Sequence, residues 1–569
     1  MPSTEADSER SNAILQKRSV VSSFLFKYSD IHARAAEVAL FRRSDKTDRD
    51  NHKRHHLAPI SGSIEAQVDS TPLDAAWREF REETSLTPSS VKLWRKGRPF
   101  TFQDYEVGRE WTIYPFAFLL KSYPCSHTKV DEENTSVNKT DGVVLDWEHN
   151  FHNWYDPEEV LQRLFEDGAE ATVSGQKLVP RIADSLIRVY PEYEFGSTAG
   201  KRLRDGLQQL QDDHASGARE LATIALGILR DMLVDMRPLE AYEGEANWGE
   251  WWRKVRLAAW HIWTNGRESM GAAIASALIT ALTELEDFQR DGQYHAEYVE
   301  QLMNSLVDER KAMMAELSKA FAAYVKHELL TDQRGGDDEE EGATLRILTL
   351  SSSSTIRESI LHLLSTATGI HTVDLRVLES RPLFEGVTLA SSILSPYQNR
   401  HDEDGRPKLN VTLYTDASAA LASTDIDILL LGADRLAADG AVSNKTGSLP
   451  AVLAAKHVSP QAKVVVLSEV DKVANQDDHS EESNQPAEVM RGWREAATGG
   501  RLKGLDVVDA TAGRGPATVA VEVKNIYFEW VPPGLVDAYI TNEGIKGVSD
   551  IQRRSQWIGE QIGRFFDDL

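Results

Sequence analysis

Residues 345–378, LRILTLSSSSTIRESILHLLSTATGIHTVDLRVL, decide the fold of the chain's second half. A β-like run, Leu345–Leu350, passes through Ser351-Ser-Ser-Ser-Thr355 into a helical period, IRESILHLL, and a second β-like run follows at 372–378. The alternation continues with IDILLLG at 426–432 and AKVVVLS at 462–468. Apolar strands separated by helical stretches predict a parallel sheet with helices on its faces, because parallel neighbours need long crossovers. Hydroxyls and free backbone N–H groups where a strand meets a helix N-terminus also suit a phosphate ester, with Ser351 and Ser352 foremost. A capping-rich turn has the same composition, and this segment alone leaves both readings open.

Upstream of this segment, 331–343 (TDQRGGDDEEEGA) combines paired glycines with an acidic run and reads as a linker. Residues 197–330 read as helices throughout, including ARELATIALGILRDML and WGEWWRKVRLAAWHIW. The tryptophans at 248, 251, 252, 260 and 263 suit helix packing or a subunit contact better than a ligand cage. Before residue 190 the pattern is mixed: VVSSFLF (20–26), VALFRR (38–43) and WTIYPFAFLL (111–120) are β-like and flank a helix from about Pro72 to Glu83. Polar stretches at 126–142 and 475–489 read as a surface loop and a mobile excursion.

The 569 residues carry 63 Lys+Arg against 89 Asp+Glu, a net charge of −26. Phosphate backbones and anionic membranes would be repelled over most of such a surface, so general nucleic-acid or membrane binding is not expected. One cysteine, Cys125, excludes a disulfide framework and a Cys-based zinc site, and it fits a reducing compartment. No apolar run approaches a membrane span, and the first residues lack a signal-peptide core. The expectation is a soluble, cytoplasmic, multidomain α/β protein.

The first chemical signal is the helix Leu73-Asp-Ala-Ala-Trp-Arg-Glu-Phe-Arg-Glu-Glu-Thr. Leu73, Ala76 and Phe80 form a stripe fit for burial, while Glu79, Glu82 and Glu83 fall at i, i+3 and i+4. Like charges at that spacing repel, and solvent, an arginine or a divalent cation must offset them. Hard oxygen donors suit Mg²⁺ or Mn²⁺, which in turn would hold a pyrophosphate. Three glutamates alone better describe an ordinary solvated acidic face.

The stretch Gly62-Ser-Ile-Glu65 … Arg78-Glu79-Phe80-Arg81-Glu82-Glu83-Thr84-Ser85-Leu86 resembles the Nudix box, and HHLAPISGSIE (55–65) resembles the strand and turn that enter it. Residues 143–160, VVLDWEHNFHNWYDPEEV, are similar to the closing strand and helix of Nudix domains. The resemblance covers about 15–190 and implies an α/β/α sandwich with a mixed sheet. It further implies metal binding by Glu79, Glu82 and Glu83, catalysis through Glu82 and Glu83, and an Arg78 that orients a glutamate and contacts substrate. Two departures accompany it. Ser85 stands where the family has glycine, and the spacing from Gly62 to Arg78 is two residues longer than the family's, so that the family's first glutamate appears as Asp69.

The second signal lies in Glu379-Ser-Arg381-Pro-Leu-Phe-Glu-Gly386, Gly432-Ala-Asp434-Arg435 … Asn444-Lys445, and Phe528-Glu-Trp-Val-Pro-Pro … Thr541-Asn-Glu543-Gly544. Together these resemble the family shared by the alpha, beta and delta subunits of initiation factor two-B, methylthioribose-1-phosphate isomerase and ribose-1,5-bisphosphate isomerase. Ser216-Gly-Ala-Arg-Glu-Leu-Ala and Asn265-Gly-Arg-Glu-Ser-Met270 look like its helical half. The resemblance implies a helical subdomain (197–330), a Rossmann-like parallel α/β domain (344–569) that binds sugar phosphate, and a homodimer through that domain. Asp434 would be the catalytic aspartate, with Asn444, Lys445 and a phosphate-gripping Arg381 as substrate contacts. Where the isomerases carry cysteine this chain has Ser351, whose hydroxyl is far less acidic than a thiol of pKa about 8.5.

Three functions follow as expectations. The leading one is Mg²⁺-dependent Nudix hydrolysis of a nucleoside diphosphate derivative, fused to a sugar-phosphate-binding module. The second is ribose-phosphate isomerisation, and the third a non-catalytic protein akin to initiation-factor subunits.

Overall fold

The computed structural model describes residues 15–30, 35–45, 55–105, 107–121, 141–213, 216–236, 245–267, 270–290, 296–330, 343–398, 406–475, 484–506, 508 and 521–569. Most of the 126–142 loop, nearly all of the 331–343 linker and residues 476–483 of the third polar stretch lie outside these, as does Cys125. The chain forms two compact units, Met1–Gln208 and Gln209–Leu569. The helical stretch and the parallel sheet belong to the same second unit.

In the first unit an eight-stranded mixed sheet is built around the long strand Gln16–Asp30. This strand pairs in parallel with Arg109–Leu120 and antiparallel with Ala35–Arg43. Strand periodicity of two sorts its side chains onto two faces. Leu25, Ala39, Phe41, Phe116 and Phe118 point to one face and pack on Ala75, Ala76 and Phe80 of the helix Pro72–Thr84. Phe24, Phe26, Val38, Leu40 and Ala117 point to the other, beneath the helices Pro157–Asp167 and Ile182–Val189. Both faces are covered, giving the α/β/α sandwich with a mixed sheet. Arg95 and Glu192 are paired inside this unit through two hydrogen bonds of 2.5 Å.

In the second unit a seven-stranded sheet runs in the order Lys408–Tyr414, Ile370–Leu378, Ala343–Leu350, Ile428–Gly432, Lys463–Leu467, Ala538–Thr541, Gly544–Lys546. The first six strands are parallel, and the last turns back antiparallel. Counting from Ala343–Leu350, this is the 3-2-1-4-5-6 order of doubly wound folds. Their chain reversal opens a crevice at the carboxyl ends of the two central strands. The helices Ala218–Asp235, Glu245–Asn265, Gly271–Arg290 and Ala296–Tyr324 realise the helical stretch. Trp248, Trp251 and Trp252 stack on one another, and Trp252 meets Phe565 edge-on, so these rings serve helix packing.

Sequence patterning did not anticipate the edge strand Lys408–Tyr414 or a small antiparallel sheet of Arg435–Leu436, Val442–Lys445 and Phe528–Val531. The helix Pro486–Thr498 begins inside what reads as a mobile excursion. Among the described residues no helix is long and apolar enough to cross a membrane.

Candidate functional site

In the first unit the helix Pro72–Thr84 carries the acidic residues to the sheet. Thr71 caps its start, with Asp74 closing a capping box, and Ser85 ends it at φ 59. This left-handed conformation is one glycine adopts without steric cost, so the serine holds it under strain. Arg78 donates from Nε to Asp69 Oδ1 (3.0 Å) and from Nη2 to Asp69 Oδ2 (2.9 Å). Its Nη1 reaches Glu79 Oε1 at 2.7 Å and Nη2 reaches the Ser63 carbonyl at 3.0 Å. Asp69 thus fills the place expected of the shifted acid, despite the longer spacing. The guanidinium beside it, together with the Glu65 N–H, holds its carboxyl below the usual range.

The three glutamates do not converge as the spacing alone suggests. Successive helical residues rotate by about 100°, so Glu82 and Glu83 diverge. Glu82 is exposed, 3.5 Å from Arg78. Glu79 lies against Gly62, where an added Cβ would sit 1.9 Å from its carboxyl carbon. Glu83 is buried beside His149, with Oε2 3.3 Å from Nδ1. Among the described residues no three acidic, histidine or cysteine side chains stand close enough together to hold an ion as they are arranged.

The charges nonetheless ask for a cation. Burial, then repulsion from Glu148, Glu79 and Asp146, pushes the Glu83 carboxyl up to about 9, with Arg43 opposing. Burial and Asp146 raise Glu148 as well, and burial raises Glu79 against the pull of Arg78. The His149 imidazole, buried and near Arg43, drops to about 4 and is neutral at pH 7. Its buried Nδ1 makes no hydrogen bond among the described residues. Hard oxygens that repel one another fit a divalent cation, and the bare backbone of Gly62 gives Glu79 its room. Glu148, Asp146, His149 and Arg43 were not singled out from sequence. The signal was present in DWEH (146–149), three titratable residues around a tryptophan at the mouth of a strand.

In the second unit a cavity of about 740 Å³ lies at the switch point of the sheet. Ser351, Ser352, Asp434, Asn444 and Lys445 all line it. Arg381 does not. Its guanidinium is largely exposed, pairs with Glu379 at 2.9 Å and stacks on Phe384. The Arg381 backbone N–H is held by Asp416, which fixes the turn and leaves the side chain outside the cavity.

Both readings of the serine run hold at different residues. Ser353 caps the helix Ser354–Thr366, whereas Ser351 lies at φ 68 and donates its N–H to Ser380 Oγ. Ser380 and Phe384 also have positive φ (both 59), so strained backbone gathers beside the cavity. Cavity residues that sequence reasoning did not name include Arg219, Arg267, Glu385, Glu469 and Lys472. Glu469 and Lys472 follow the strand Lys463–Leu467 three residues apart, and their 3.0 Å pair could have been read from SEVDK.

Lys445 Nζ pairs with Glu385 at 2.7 Å. Asp434 makes no side-chain hydrogen bond or ion pair among the described residues. Burial raises its carboxyl pKa, Lys472 and Lys445 lower it, and Glu385 and Glu469 add to the rise. A carboxyl so placed keeps its proton more readily than a free one and can give it to a bound oxygen.

An α/β/α sandwich with an acidic helix against Gly62, followed by a doubly wound unit with a polar crevice, defines a two-part α/β protein. The chain carries a NUDIX domain over residues 31–174 and a domain of the initiation factor 2 subunit family over residues 267–547. It is a fusion of the two. Among curated relatives it is similar to methylthioribose-1-phosphate isomerase of Yarrowia lipolytica, 31% identical over 176 residues, 30% of this chain and 41% of the relative. The same enzyme of Pelotomaculum thermopropionicum is 32% identical over 171 residues, 29% of this chain and 39% of the relative. The chain thus spans about two fifths of the length of the curated relatives it matches. Among solved structures, translation initiation factor eIF-2B of Pyrococcus horikoshii OT3 covers 62% of this chain and 99% of its own at 19% identity and TM-score 0.39. The 5-methylthioribose 1-phosphate isomerase of the same organism covers 63% and 87% at 16% identity and TM-score 0.40.

Proposed function

We propose that the first unit is a divalent-cation-dependent hydrolase of nucleoside diphosphate derivatives and that the second binds a sugar phosphate. The observation that carries the first half is the buried Glu83, 3.3 Å from His149, with Glu79, Glu148 and Asp146 near enough to raise its carboxyl. Glu79, Glu82 and Glu83, joined by Glu148, would hold Mg²⁺ or Mn²⁺. The ion would supply charge for the diphosphate oxygens and a more acidic water. Arg78 fixes Glu79 through a 2.7 Å bond while Asp69 fixes Arg78, so the helix face is ordered before any ligand arrives.

The test is release of a nucleoside monophosphate from a panel of nucleoside diphosphate derivatives with Mg²⁺ or Mn²⁺. Wild type should turn over at least one, EDTA should stop it, and Glu82→Gln and Glu83→Gln should each lower the rate at least about 100-fold. Unchanged turnover in both variants would remove the carboxylate helix from the reaction.

A second reading, isomerisation of a ribose phosphate, is favoured by the unpartnered Asp434 beside Lys445 and by the names of the curated relatives. It predicts that Asp434→Asn stops conversion of an aldose phosphate to its ketose. A non-catalytic role akin to initiation-factor subunits predicts saturable sugar-phosphate binding without turnover. A homodimer through the second unit belongs to the proposal. Leu421, Leu453 and Val458, exposed on the helices Ala419–Ala422 and Ser448–Val458 that pack together, support it, and light scattering tests it. The lone Cys125 supports a cytoplasmic setting.

A further inference from the structure

Moving a carbonyl between C1 and C2 of an aldose phosphate requires one group to take a proton from carbon and another to protonate oxygen. Ser351 stands at the mouth of the strand Ala343–Leu350, and its hydroxyl is too weak an acid to serve as either near neutral pH. The cavity wall offers four carboxyl groups: Glu385, Asp434, Glu469 and Glu488. Two of them are committed elsewhere. Glu469 is buried, pairs with Lys472 at 3.0 Å and accepts from Thr355 at 3.3 Å. Glu488 accepts hydrogen bonds from Asn525 (2.9 Å) and from the Tyr527 hydroxyl.

Glu385 and Asp434 remain. Glu385 opens the helix Glu385–Gln398, and its only ion pair among the described residues is the 2.7 Å contact to Lys445. The backbone sets its position tightly, since a Cβ on the next residue, Gly386, would lie 1.8 Å from the Leu378 carbonyl oxygen. The Lys445 ammonium thus holds the Glu385 carboxyl in place at the cavity wall, while Asp434 is buried with no side-chain partner among the described residues, and burial raises its carboxyl. One carboxyl group held beside a lysine and another buried without a partner offer unlike environments in one cavity, as a base and an acid require.

We infer that Glu385 and Asp434 form a carboxylate pair that exchanges protons at C1 and C2 of an aldose phosphate with a free anomeric carbon, doing without a thiol. The inference rests on the sugar-phosphate reading of this cavity. In the forward step Glu385 takes the C2 proton of the open-chain aldose, the C1–C2 double bond forms, and Asp434 gives its proton to O1. In the return step Asp434 takes the O2 proton and Glu385 returns its own to C1. The ketose is released with both groups restored, and no oxidant or reductant enters. Hydrolysis of the diphosphate linkage in a nucleoside diphosphate whose terminal phosphate carries a second ribose would supply such a substrate, with a nucleoside monophosphate as the other product.

The test uses the full chain and ribose 5-phosphate as probe, with binding followed by calorimetry and proton exchange by NMR in D₂O. The expected result is saturable binding, deuterium entry at C1 or C2, and ketose formation. Glu385→Gln and Asp434→Asn should each slow exchange at least about 100-fold while binding and melting temperature hold. Binding without exchange in wild type, or wild-type exchange in Glu385→Gln, would overturn the carboxylate pair and leave the binding reading intact. Absence of binding would overturn both. Should Glu385→Gln not fold, Glu385→Asp, which keeps the charge for Lys445 and withdraws the carboxyl by one methylene, should show the same loss of exchange.

Discussion

Glu83 is surrounded in a way that disfavours the charge a carboxylate normally carries at pH 7. Its folded pKa, about 9, lies above the ordinary 4.5, so the folded state holds a proton that the unfolded state has lost across that window. Stability from this residue is present below pH 4.5 and is lost as the pH rises towards 9. His149 works the other way: its folded pKa of about 4 is below 6.5, so its contribution is present above pH 6.5 and lost on acidification. The two oppose each other between 4.5 and 6.5, and Glu83 alone acts above. In EDTA the melting temperature of the first unit should therefore fall from pH 6.5 to 9, and Glu83→Gln should remove that fall, as scanning calorimetry would report. At Gly62 the prediction is functional. Alanine there would intrude on the flexible end of Glu79, so Gly62→Ala should leave melting nearly unchanged yet lower hydrolysis at least about 100-fold.

At the scale of elements, the sandwich is tied by the strand Val91–Lys96 and the helix that begins at Glu192. Arg95 and Glu192 are 1% and 4% exposed and share two charge-assisted bonds. Removing one partner strands the other charge in the interior, so Arg95→Ala should cost about 3–5 kcal/mol in guanidinium unfolding. Elements with strong periodicity were legible in the sequence: the helix Pro72–Thr84, the strand pair Gln16–Asp30 and Ala35–Arg43, and the alternation after Ala343. The edge strand Lys408–Tyr414 was missed although KLNVTLY alternates polar and apolar residues, because it lacks the continuous apolar run that marks the central parallel strands. The acidic helix was legible as a motif, but not the inward turn of Glu83 or the exposure of Glu82, which depend on how the helix rolls onto the sheet. Asp434, Asn444 and Lys445 could be grouped through the order of motifs that resembles the isomerase family; taken singly, each reads as an ordinary turn or loop residue. Arg381 could not be excluded, since its direction is set by the Asp416 contact, 35 residues away in sequence.

For the molecule as a whole, two sites on two units predict separable losses. Glu83→Gln should abolish metal-dependent hydrolysis and leave sugar-phosphate binding and proton exchange in the second unit unchanged, whereas Asp434→Asn should lose the exchange and leave both hydrolysis and binding unchanged. Parallel hydrolysis, calorimetry and proton-exchange measurements on both variants check this. The central claim is that the acidic cluster of the first unit gathers a hard cation, and titration of Mn²⁺ into the metal-free full chain tests it most directly. The account predicts a saturable site in wild type that Glu83→Gln loses. A flat titration in wild type, or equal binding in Glu83→Gln, would contradict it.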